Sequence, residues 1–473
     1  MTTNPTVELP ERIEVVNIGL PMFTDAVREQ GVPVVGVDWR PPADGRLDVV
    51  RALRVLYADP SIERANAEVV RRLDTGVPQL RTVSPAGAVV PGLTGRMLLH
   101  CGPAITWDRV CDPLRRSMRA AVVAEGWASD VAGADELLAT GAIALSPAND
   151  HDTVVPMASA IGPGTPVLVV EHRGDGDGRT WRAFAPLNQG PGETPWFGRD
   201  TDAAIERLRL LRDVGGPAVA AVLHEAGPLD VLALAAQGVA MGDDVHMRVQ
   251  ATTNLLTRTW LAHIAALPDG LREPFAGYLA GNHLFCLTLA MAAAKSLQMW
   301  ADEVPGSTIV TSMSRNGTDY AVRTAGASSR QSAAAPPVGE ALYYSGYGPE
   351  DAAPDIGDSA VLELTGLGGP AAGNSPSVAA FLGGRMADAA AATEAFRRIC
   401  AGTSSRFILP AMGFAGTPIG VDARLVVETG VTPKVTTGIL HAHAGVGQIG
   451  AGVATAPLSC FVDAVLALAA ERG

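Results

Sequence analysis

The spacing of hydrophobic positions changes several times along the chain, and these changes predict a mixed α/β protein. Near the N-terminus two β-branched runs, IEVVNIGL and VPVVGVDW, flank the short helical stretch MFTDAVREQG. This order predicts a βαβ unit of Rossmann type. Apolar residues three and four positions apart then predict helical structure over residues 47–75.

Further along, TPVLVVEHRG predicts a strand, residues 110–125 a helix, and residues 202–300 a mostly helical region. Strands and glycine turns return in STIVTSMS, SAVLELTGLGG and KVTTGILHAHAG, with Ala-rich helical stretches expected after the last two. We therefore expect a multi-domain α/β protein with four regions: a Rossmann-like domain over 1–95, an α/β domain over 96–200, a mainly helical region over 201–300, and an α/β domain with glycine-rich loops, the candidate active site, over 301–473.

Composition and charge narrow the classes of function. With 473 residues, 47% of them hydrophobic, the chain is long enough for several buried cores. The formal net charge of −13 argues against nucleic acid or an anionic membrane as the main partner. Five cysteines without a CxxC pair are typical of reduced thiols, and MTTNPTVELPERIE does not resemble a secretory signal. We expect a cytoplasmic protein.

The stretch HAHAGVGQIGAG, residues 441–452, contains a GxGxxG pattern. It follows a predicted strand and precedes a stretch predicted to be helical from about Ile449 to Glu471, a context in which backbone N–H groups bind anions. A dinucleotide fingerprint would also need a following strand with an acidic residue about twenty positions on, which is lacking. The pattern leaves open an anion or substrate cradle and a purely structural glycine turn. His441 and His443 alternate on a strand end, so at most one is expected to face a site.

A second candidate, SMSRNGT, follows the strand STIVT. The guanidinium of Arg315, between Ser314 and Asn316, is suited to a carboxylate or phosphate oxygen, although a surface arginine on a hairpin is the simpler alternative. A third candidate is PDIGDSAVLELTGLGG, with Asp355, Asp358 and Glu363. Aspartates often cap turns, but an acid inside the predicted strand, Glu363, would need a partner if buried.

Weaker signals come from single histidines and acids. His246 and His151 with Asp150 and Asp152 could form a metal set, but nothing resembling HExxH or paired CxxC supports it. Asn282, in the turn before a very apolar helix, could cap that helix or point into a cleft. We expect no metal and no cofactor.

Five stretches in order, NIGLPMF…VVGVDWRPPADG, GNHLF…MAAAKS, SMSRNGTDY, PDIGDSAVLELTGLGG and TGILHAHAGVGQIGAG, resemble the YlbE-like proteins, also called the AllG family, from about residue 13 to residue 465. The resemblance implies an N-terminal Rossmann-like domain, two further α/β domains and a small helical insert. It also implies one subunit of an oxamate carbamoyltransferase, beside FdrA-like and YlbF-like partners, in allantoin breakdown. That enzyme moves a carbamoyl group between phosphate and the amide nitrogen of oxamate.

One loop departs from the family pattern. Where the family has asparagine-glutamate-glycine followed by basic residues, this chain reads NQGPGETPW, residues 188–196. Gln189 replaces a carboxylate, and Glu193 and Trp196 replace cations. If this loop contacts substrate, the substrate here is expected to differ or to be less anionic.

Carbamoyl transfer requires a held phosphate, a polarised carbonyl and a proton acceptor for the amide nitrogen. We expect the glycine loop with Arg315 to hold phosphate, His441 to carry the proton, and Glu363 or Asp358 to orient it. Contacts to the substrate are expected from ten further residues: Ser314, Asn316, Gly368, Gly369, Gly445, Gly447, Gln448, Gly450, Asn282 and His151.

Two other functions remain open from the sequence. One is hydrolysis or synthesis of an amide or ureide on a small carboxylate, which would need no phosphate. The other is a non-catalytic subunit whose Rossmann-like domain docks an FdrA-like partner. NAD-dependent dehydrogenation ranks last. A homo-oligomer is also expected.

Overall fold

The computed structural model describes residues 13–37, 41, 45–176 and 178–472. Residues 1–12 of the predicted first domain, and residues 38–40 and 42–44 of the motif VVGVDWRPPADG, lie outside the described part. The sixteen helices described are α1 Pro21–Glu29, α2 Leu47–Ala58, α3 Pro60–Thr75, α4 Ala86–Val89, α5 Asp112–Ala124, α6 Val131–Ala139, α7 Asp202–Leu210, α8 Gly216–Ala226, α9 Val231–Ala240, α10 Gln250–Ala265, α11 Asp269–Ala280, α12 Cys286–Asp302, α13 Pro376–Ala379, α14 Met386–Arg397, α15 Ala423–Thr429 and α16 Leu458–Ala470.

The strands form six small sheets within the described residues. The eighteen strands are β1 Val15–Ile18, β2 Val34–Val37, β3 Gln79–Pro85, β4 Met97–His100, β5 Ala144–Pro147, β6 Ala160–Ile161, β7 Pro166–Arg173, β8 Thr180–Pro186, β9 Leu229–Asp230, β10 Val310–Asn316, β11 Asp319–Thr324, β12 Gln331–Ala334, β13 Val338–Tyr343, β14 Ile356–Gly357, β15 Cys400–Leu409, β16 Ala415–Val421, β17 Lys434–Leu440 and β18 Gln448–Thr455. The predicted mixed α/β class is confirmed.

The N-terminal unit is smaller than a Rossmann domain. Strands β1 and β2 pair in parallel, with α1 between them in sequence, and no third strand of the described chain joins them. The predicted Rossmann-like domain over 1–95 is therefore not confirmed. Helix α2 packs against α16, and β3 lies in the order β8-β7-β3-β9. This sheet therefore contains strands from three of the four predicted regions.

Helix α12 lies at the centre of the molecule. Its sequence, CLTLAMAAAKSLQMWAD, is buried on nearly every side, and it packs against β7, β8 and α3. A helix that is apolar all round requires neighbours all round, and its alanines let those neighbours approach closely. The helical prediction for residues 202–300 is confirmed by α7 to α12, and that for residues 47–75 by α2 and α3, which break at Asp59-Pro60.

Two predictions in the C-terminal region are wrong. The stretch SAVLELTG was expected to be a strand but forms two 3₁₀ turns, Ser359–Val361 and Glu363–Thr365. The main-chain N–H of Asp358 donates to the carbonyl of Val155, which ties this segment to a distant loop instead of a sheet.

The second error concerns the residues after the glycine loop. Residues from Ile449 on were expected to be helical, but β18 runs there, between β13 and β17, and α16 begins only at Leu458. A Cβ at Gly450 would lie 2.4 Å from the carbonyl oxygen of Leu342, and one at Gly452 would lie 2.5 Å from that of Glu340. The glycines therefore allow β13 to approach closely. They do not open a helix.

Strand β12, Gln331–Ala334, is a short strand at the edge of its sheet. No helix in the described part of the chain is both long and apolar enough to cross a bilayer.

Candidate functional site

A cavity of about 300 Å³ lies between the central helices and the C-terminal sheet. Its wall comes from eight places in the sequence: the loops at residues 156–157, 191–197 and 246–247, the residues at the start of α12, Tyr344, the turn at Ser359, and the paired strands β17 and β18. Pro156 and Met157 adjoin β6, and Thr437 and Gln448 come from the two strands. The cavity thus collects side chains from three of the four predicted regions.

The strongest polar feature of the wall is a buried histidine–carboxylate pair. Nδ1 of His246 donates to Oε1 of Glu363 at 2.7 Å, and the two side chains are 3% and 0% exposed. Because Nδ1 is engaged in this way, Nε2 is the nitrogen left for a ligand. The other oxygen of Glu363, Oε2, is buried without a hydrogen-bond partner.

Asp244 fixes the loop that carries this histidine. Its carboxylate accepts the main-chain N–H of His246 at 3.2 Å and that of Arg248 at 2.7 Å. Asp244 thus binds Arg248 through its main-chain N–H and holds the loop at both ends. Burial raises the pKa of Asp244 above its ordinary value.

Two glycines leave room for the pair. Gly368 has φ +63°, and a Cβ there would lie 2.2 Å from Oε1 of Glu363 and 3.1 Å from Nδ1 of His246. The N–H of Gly369 donates to the same oxygen of Glu363 at 3.4 Å. The predicted motif LTGLGG therefore lies around Glu363. Its glycines leave room for the His246–Glu363 pair and do not face the cavity.

Arg315 lies behind the wall and is not a part of it. Its side chain is 0% exposed and makes a two-pronged ion pair with Asp355, with Nε to Oδ2 at 2.7 Å and Nη2 to Oδ1 at 3.1 Å. Burial alone would lower the pKa of Arg315, but the charge and hydrogen bonds of Asp355 outweigh it and raise the pKa. Nη2 also lies 3.5 Å from the hydroxyl oxygen of Ser359, which does line the cavity. The geometry does not support the predicted direct grip of Arg315 on phosphate, because Asp355 holds Nε and Nη2, and Nη1 is buried without a hydrogen-bond partner.

Asp358 joins two parts of the fold. Its carboxylate accepts the N–H of Gly102 at 2.9 Å and that of Val155 at 3.1 Å, and burial raises its pKa to about 7. It contacts neither predicted histidine, His441 nor His443, so its predicted role in orienting a proton shuttle is not supported.

The glycine loop is the turn of the β17–β18 hairpin. The N–H of His441 donates to the carbonyl of Gly447 at 2.9 Å, and the carbonyl of Val446 accepts from Nη1 of Arg199 at 2.8 Å. A Cβ at Gly445 would lie 2.8 Å from the guanidinium of Arg116. With no helix N-terminus behind the loop, the predicted phosphate cradle lacks its helix dipole. The structural glycine turn, which the sequence had left open, describes it better.

Only the end of this loop reaches the cavity. Gln448 lines it, with Nε2 donating to the carbonyl of Gly450 at 3.0 Å. His441 points elsewhere, with Nε2 3.8 Å from Asp351 and its ring edge-on to Tyr347. His443 is exposed. Neither histidine lines the cavity, contrary to the expectation for His441.

The other predicted contact residues do not line this cavity. Ser314 is buried in β10, and Asn316 shapes the following turn by accepting the N–H of Thr318 at 3.0 Å. His151 bonds to Ser146 and to the carbonyl of Pro91.

Asn282 is buried beside the cavity, where its Oδ1 accepts the N–H of Leu284 at 3.1 Å. Over the described ranges, no three or more His, Cys, Asp or Glu side chains are placed to hold a metal ion. The suggested set around His246 and His151 is therefore not assembled.

A larger cleft, of about 670 Å³, surrounds Lys295. Nζ of Lys295 donates to Oδ1 of Asn149 at 3.1 Å, and burial lowers the pKa of this lysine to about 8. Arg323 and Arg330 in the same cleft are paired with Asp302 and Asp150.

Sequence reasoning underestimated His246 and missed Ser359. His246 was considered only as a metal ligand, and Ser359 was inside a recognised motif without a role. In the sequence, the position of Ser359 next to Asp358 was the feature that could have indicated a role in the site. The partner of His246 lies 117 residues away, which no local pattern reveals.

Comparisons with known proteins agree with the resemblance. The family model for "Oxamate carbamoyltransferase subunit AllG" matches residues 143–359. The chain is 37% identical over 420 residues to the Escherichia coli (strain K12) protein named oxamate carbamoyltransferase subunit AllG, covering 87% of this chain and 99% of that protein. It is 33% identical over 467 residues to the E. coli uncharacterized protein YahG, covering 96% of each.

A solved structure is similar across most of the fold. The crystal structure of a conserved protein of unknown function from Enterococcus faecalis V583 superposes with a TM-score of 0.84 and 32% identity, covering 88% of this chain and 99% of that one. The shared fold, the family match and the extent of identity lead to one conclusion: this chain belongs to the AllG family.

Proposed function

We propose that this chain is a subunit of an oxamate carbamoyltransferase-related complex, and that its 300 Å³ cavity holds the amide that accepts or releases the carbamoyl group. The observation that carries the proposal is that His246 lines the cavity and is held from behind by the buried carboxylate of Glu363. A histidine held by a carboxylate is the usual means of moving a proton near neutral pH. The family name supports the reaction class.

In the proposed step, the nitrogen of a primary amide attacks the carbamoyl carbon of carbamoyl phosphate. A C–N bond forms, the bond from the carbamoyl carbon to the phosphate oxygen breaks, and phosphate leaves with the electron pair of that bond. Nε2 of His246 accepts the proton from the amide nitrogen, and Glu363 stabilises the positive imidazole that results. In the reverse direction, which breaks down the carbamoylated amide, His246 returns this proton.

Ser359 is the second polar group in this proposal. Because its oxygen faces Nη2 of Arg315 at 3.5 Å, its hydroxyl hydrogen is free to point into the cavity. It would donate to a carbonyl oxygen of the substrate. The buried charge of Arg315, which contacts Ser359 and not the substrate, would stabilise negative charge that develops on this oxygen. Arg315 thus acts as a positioning residue in place of the phosphate ligand expected from the sequence.

The wall of this cavity is poorly suited to binding phosphate. Among the described residues, no lysine or arginine lines it. A carbamoyl phosphate dianion would therefore lose its hydration without gaining a cation, which costs several kcal/mol. We infer that another chain of the complex supplies the phosphate site.

The N-terminal unit supports an interface of this kind. Val16, Ile18 and Val35 on one face of the β1–β2 pair are 63%, 64% and 62% exposed. Parallel strands are normally covered on both faces. An FdrA-like partner chain on this face would remove these side chains from water.

The test is to purify this chain alone, the FdrA-like and YlbF-like chains without it, and all three together. Each sample receives carbamoyl phosphate and oxamate or a neutral amide, and phosphate release and product mass are followed. We expect turnover only with all three chains, and a loss of roughly 10²-fold or more for His246→Ala. His443→Ala, exposed and outside the cavity, is the matched control. Turnover without this chain, or an unchanged rate in His246→Ala, would overturn the proposal, and turnover without any phosphate compound would favour a hydrolase.

A further inference from the structure

The apolar side chains of the cavity wall are held in place by hydrogen bonds and ring stacking. Trp196 is 1% exposed, and its indole Nε1–H donates to the carbonyl of Gly190 at 2.9 Å. Its main-chain N–H donates to Oε1 of Gln189 at 2.8 Å, and its ring stacks on Phe197 with centroids 4.6 Å apart. Leu287 and Met157 extend the same surface. These contacts fix the indole ring in one orientation on the wall.

The wall also carries no permanent charge. Within the described chain, no aspartate, glutamate, lysine or arginine lines the cavity, and its only titratable groups apart from Tyr344 are His246 and His283. Two arginines that lie near the wall are bound by other protein groups, although Nη1 of Arg315 and Nε of Arg199 are buried without a hydrogen-bond partner. Arg315 is held by Asp355, and Arg199 is held by Glu193 at 2.7 Å and by the carbonyl of Val446.

This combination discriminates between ligands. A buried carboxylate without a cation or several N–H donors is strongly disfavoured relative to water. An apolar substituent gains about 25 cal/mol for each Å² removed from water. An aromatic substituent gains further from offset or edge contact with the indole. A cavity of about 300 Å³ also exceeds what an amide as small as oxamate fills.

We propose that the ligand of this cavity is a primary amide with an uncharged, apolar substituent, and that Trp196 is the residue that selects it over oxamate. The reactivity of the amide rests on the function proposed above, but the preference for an apolar substituent rests only on the wall. Trp196 here is a specificity-determining residue. Gln189 holds Trp196 in place by accepting its main-chain N–H. Glu193 neutralises the charge of Arg199.

The preference is tested by equilibrium binding, without turnover. The purified full chain is titrated at pH 8 with phenylacetamide and with oxamate in a calorimeter. We expect phenylacetamide to bind at least tenfold more tightly. Trp196→Phe, which keeps an aromatic ring in the wall, is the conservative variant and should still bind phenylacetamide more tightly than oxamate. Trp196→Arg should reverse the order, with oxamate at least tenfold tighter than in the native chain.

A second variant controls for misfolding of the loop at residues 188–197. Leu284, half-buried in the same wall, is replaced by arginine, which introduces a cation without disturbing residues 188–197. It should also improve oxamate binding, and thermal melting checks that both variants are folded. Equal or tighter binding of oxamate by the native chain would overturn the inference. So would undetectable binding of phenylacetamide at about 10 mM, or folded arginine variants that gain no affinity for oxamate.

Binding and turnover separate the two proposals. If the native chain prefers phenylacetamide but the assembled complex transfers no carbamoyl group to any amide, the proposed function fails and the specificity of the cavity stands. If the complex transfers to oxamate as well as to apolar amides, the function stands and the selective role of Trp196 fails.

Discussion

Nδ1 of His246 lies 2.7 Å from Oε1 of Glu363, although 117 residues separate the two in the sequence. Both side chains are buried, and of the two only His246 lines the cavity. The pair therefore has the arrangement of a base and its orienting carboxylate, in which the acid acts on substrate only through the imidazole.

Replacing Glu363 by glutamine tests this dependence. The amide keeps the shape of the side chain but removes the negative charge that stabilises a protonated imidazole. We expect kcat of the complex to fall by roughly 10²-fold with little change in KM. The steady-state rate over pH 6 to 9 is the measurement, and a structural role alone would leave the shape of the profile unchanged. Glu350→Gln, an exposed acid, is the control.

Gly368→Ala tests the space around the pair. The added Cβ would lie 2.2 Å from the Glu363 carboxylate, at a position whose φ of +63° is also unfavourable for alanine. We expect a loss of about 1–3 kcal/mol in the free energy of unfolding, together with loss of activity. Gly270→Ala, where a Cβ meets open space within α11, should be neutral or slightly stabilising. Urea denaturation compares the two, and equal stabilities would contradict the geometry.

The Arg315–Asp355 pair should behave as a buried ion pair. Arg315→Met leaves the Asp355 carboxylate buried without its cation, and should cost about 3–5 kcal/mol in the free energy of unfolding. The double change Arg315→Met with Asp355→Leu removes both charges and should recover a large part of this loss. A double-mutant cycle by urea denaturation measures the coupling. Additive effects of the two changes would mean that the ion pair is not formed.

Asp358 should make stability depend on pH in an unusual direction. Burial raises its pKa in the folded chain from 3.8 to about 7, so between these values the folded state binds more protons than the unfolded state. The contribution of Asp358 therefore falls as pH rises from about 4 to about 7, by at most ~1.4 kcal/mol per pH unit. Asp358→Asn should remove this slope. Chemical denaturation at pH 5, 6 and 7 provides the measurement, and an identical slope in the variant would refute it.

Lys295 should show the opposite dependence at higher pH. Burial lowers its pKa from 10.5 to about 8, so the unfolded state binds more protons between these values. Its contribution to stability therefore increases as pH rises from about 8 to about 10. Lys295→Met should flatten this part of the curve and stabilise the chain at pH 8. Thermal melting in buffers from pH 8 to 10 tests the sign.

The sequence by itself determined the fold class, the long helices and the family. Residues 202–300 and 47–75 repeat one helical spacing over many turns, so local pattern and final structure agree there. It also marked Gln448, which lines the cavity, and Glu363 and Gly368, which lie behind His246.

Only the tertiary structure decided what these residues do. A glycine-rich stretch fits a helix start, a turn or a strand equally well, and the pairing of β18 with β13 made it a strand. Whether a charged group is free or engaged depends on partners far away in sequence: Asp355 holds Arg315, and Glu363 holds His246. Burial and pairing set the chemistry of such groups, and both exist only after the chain has folded.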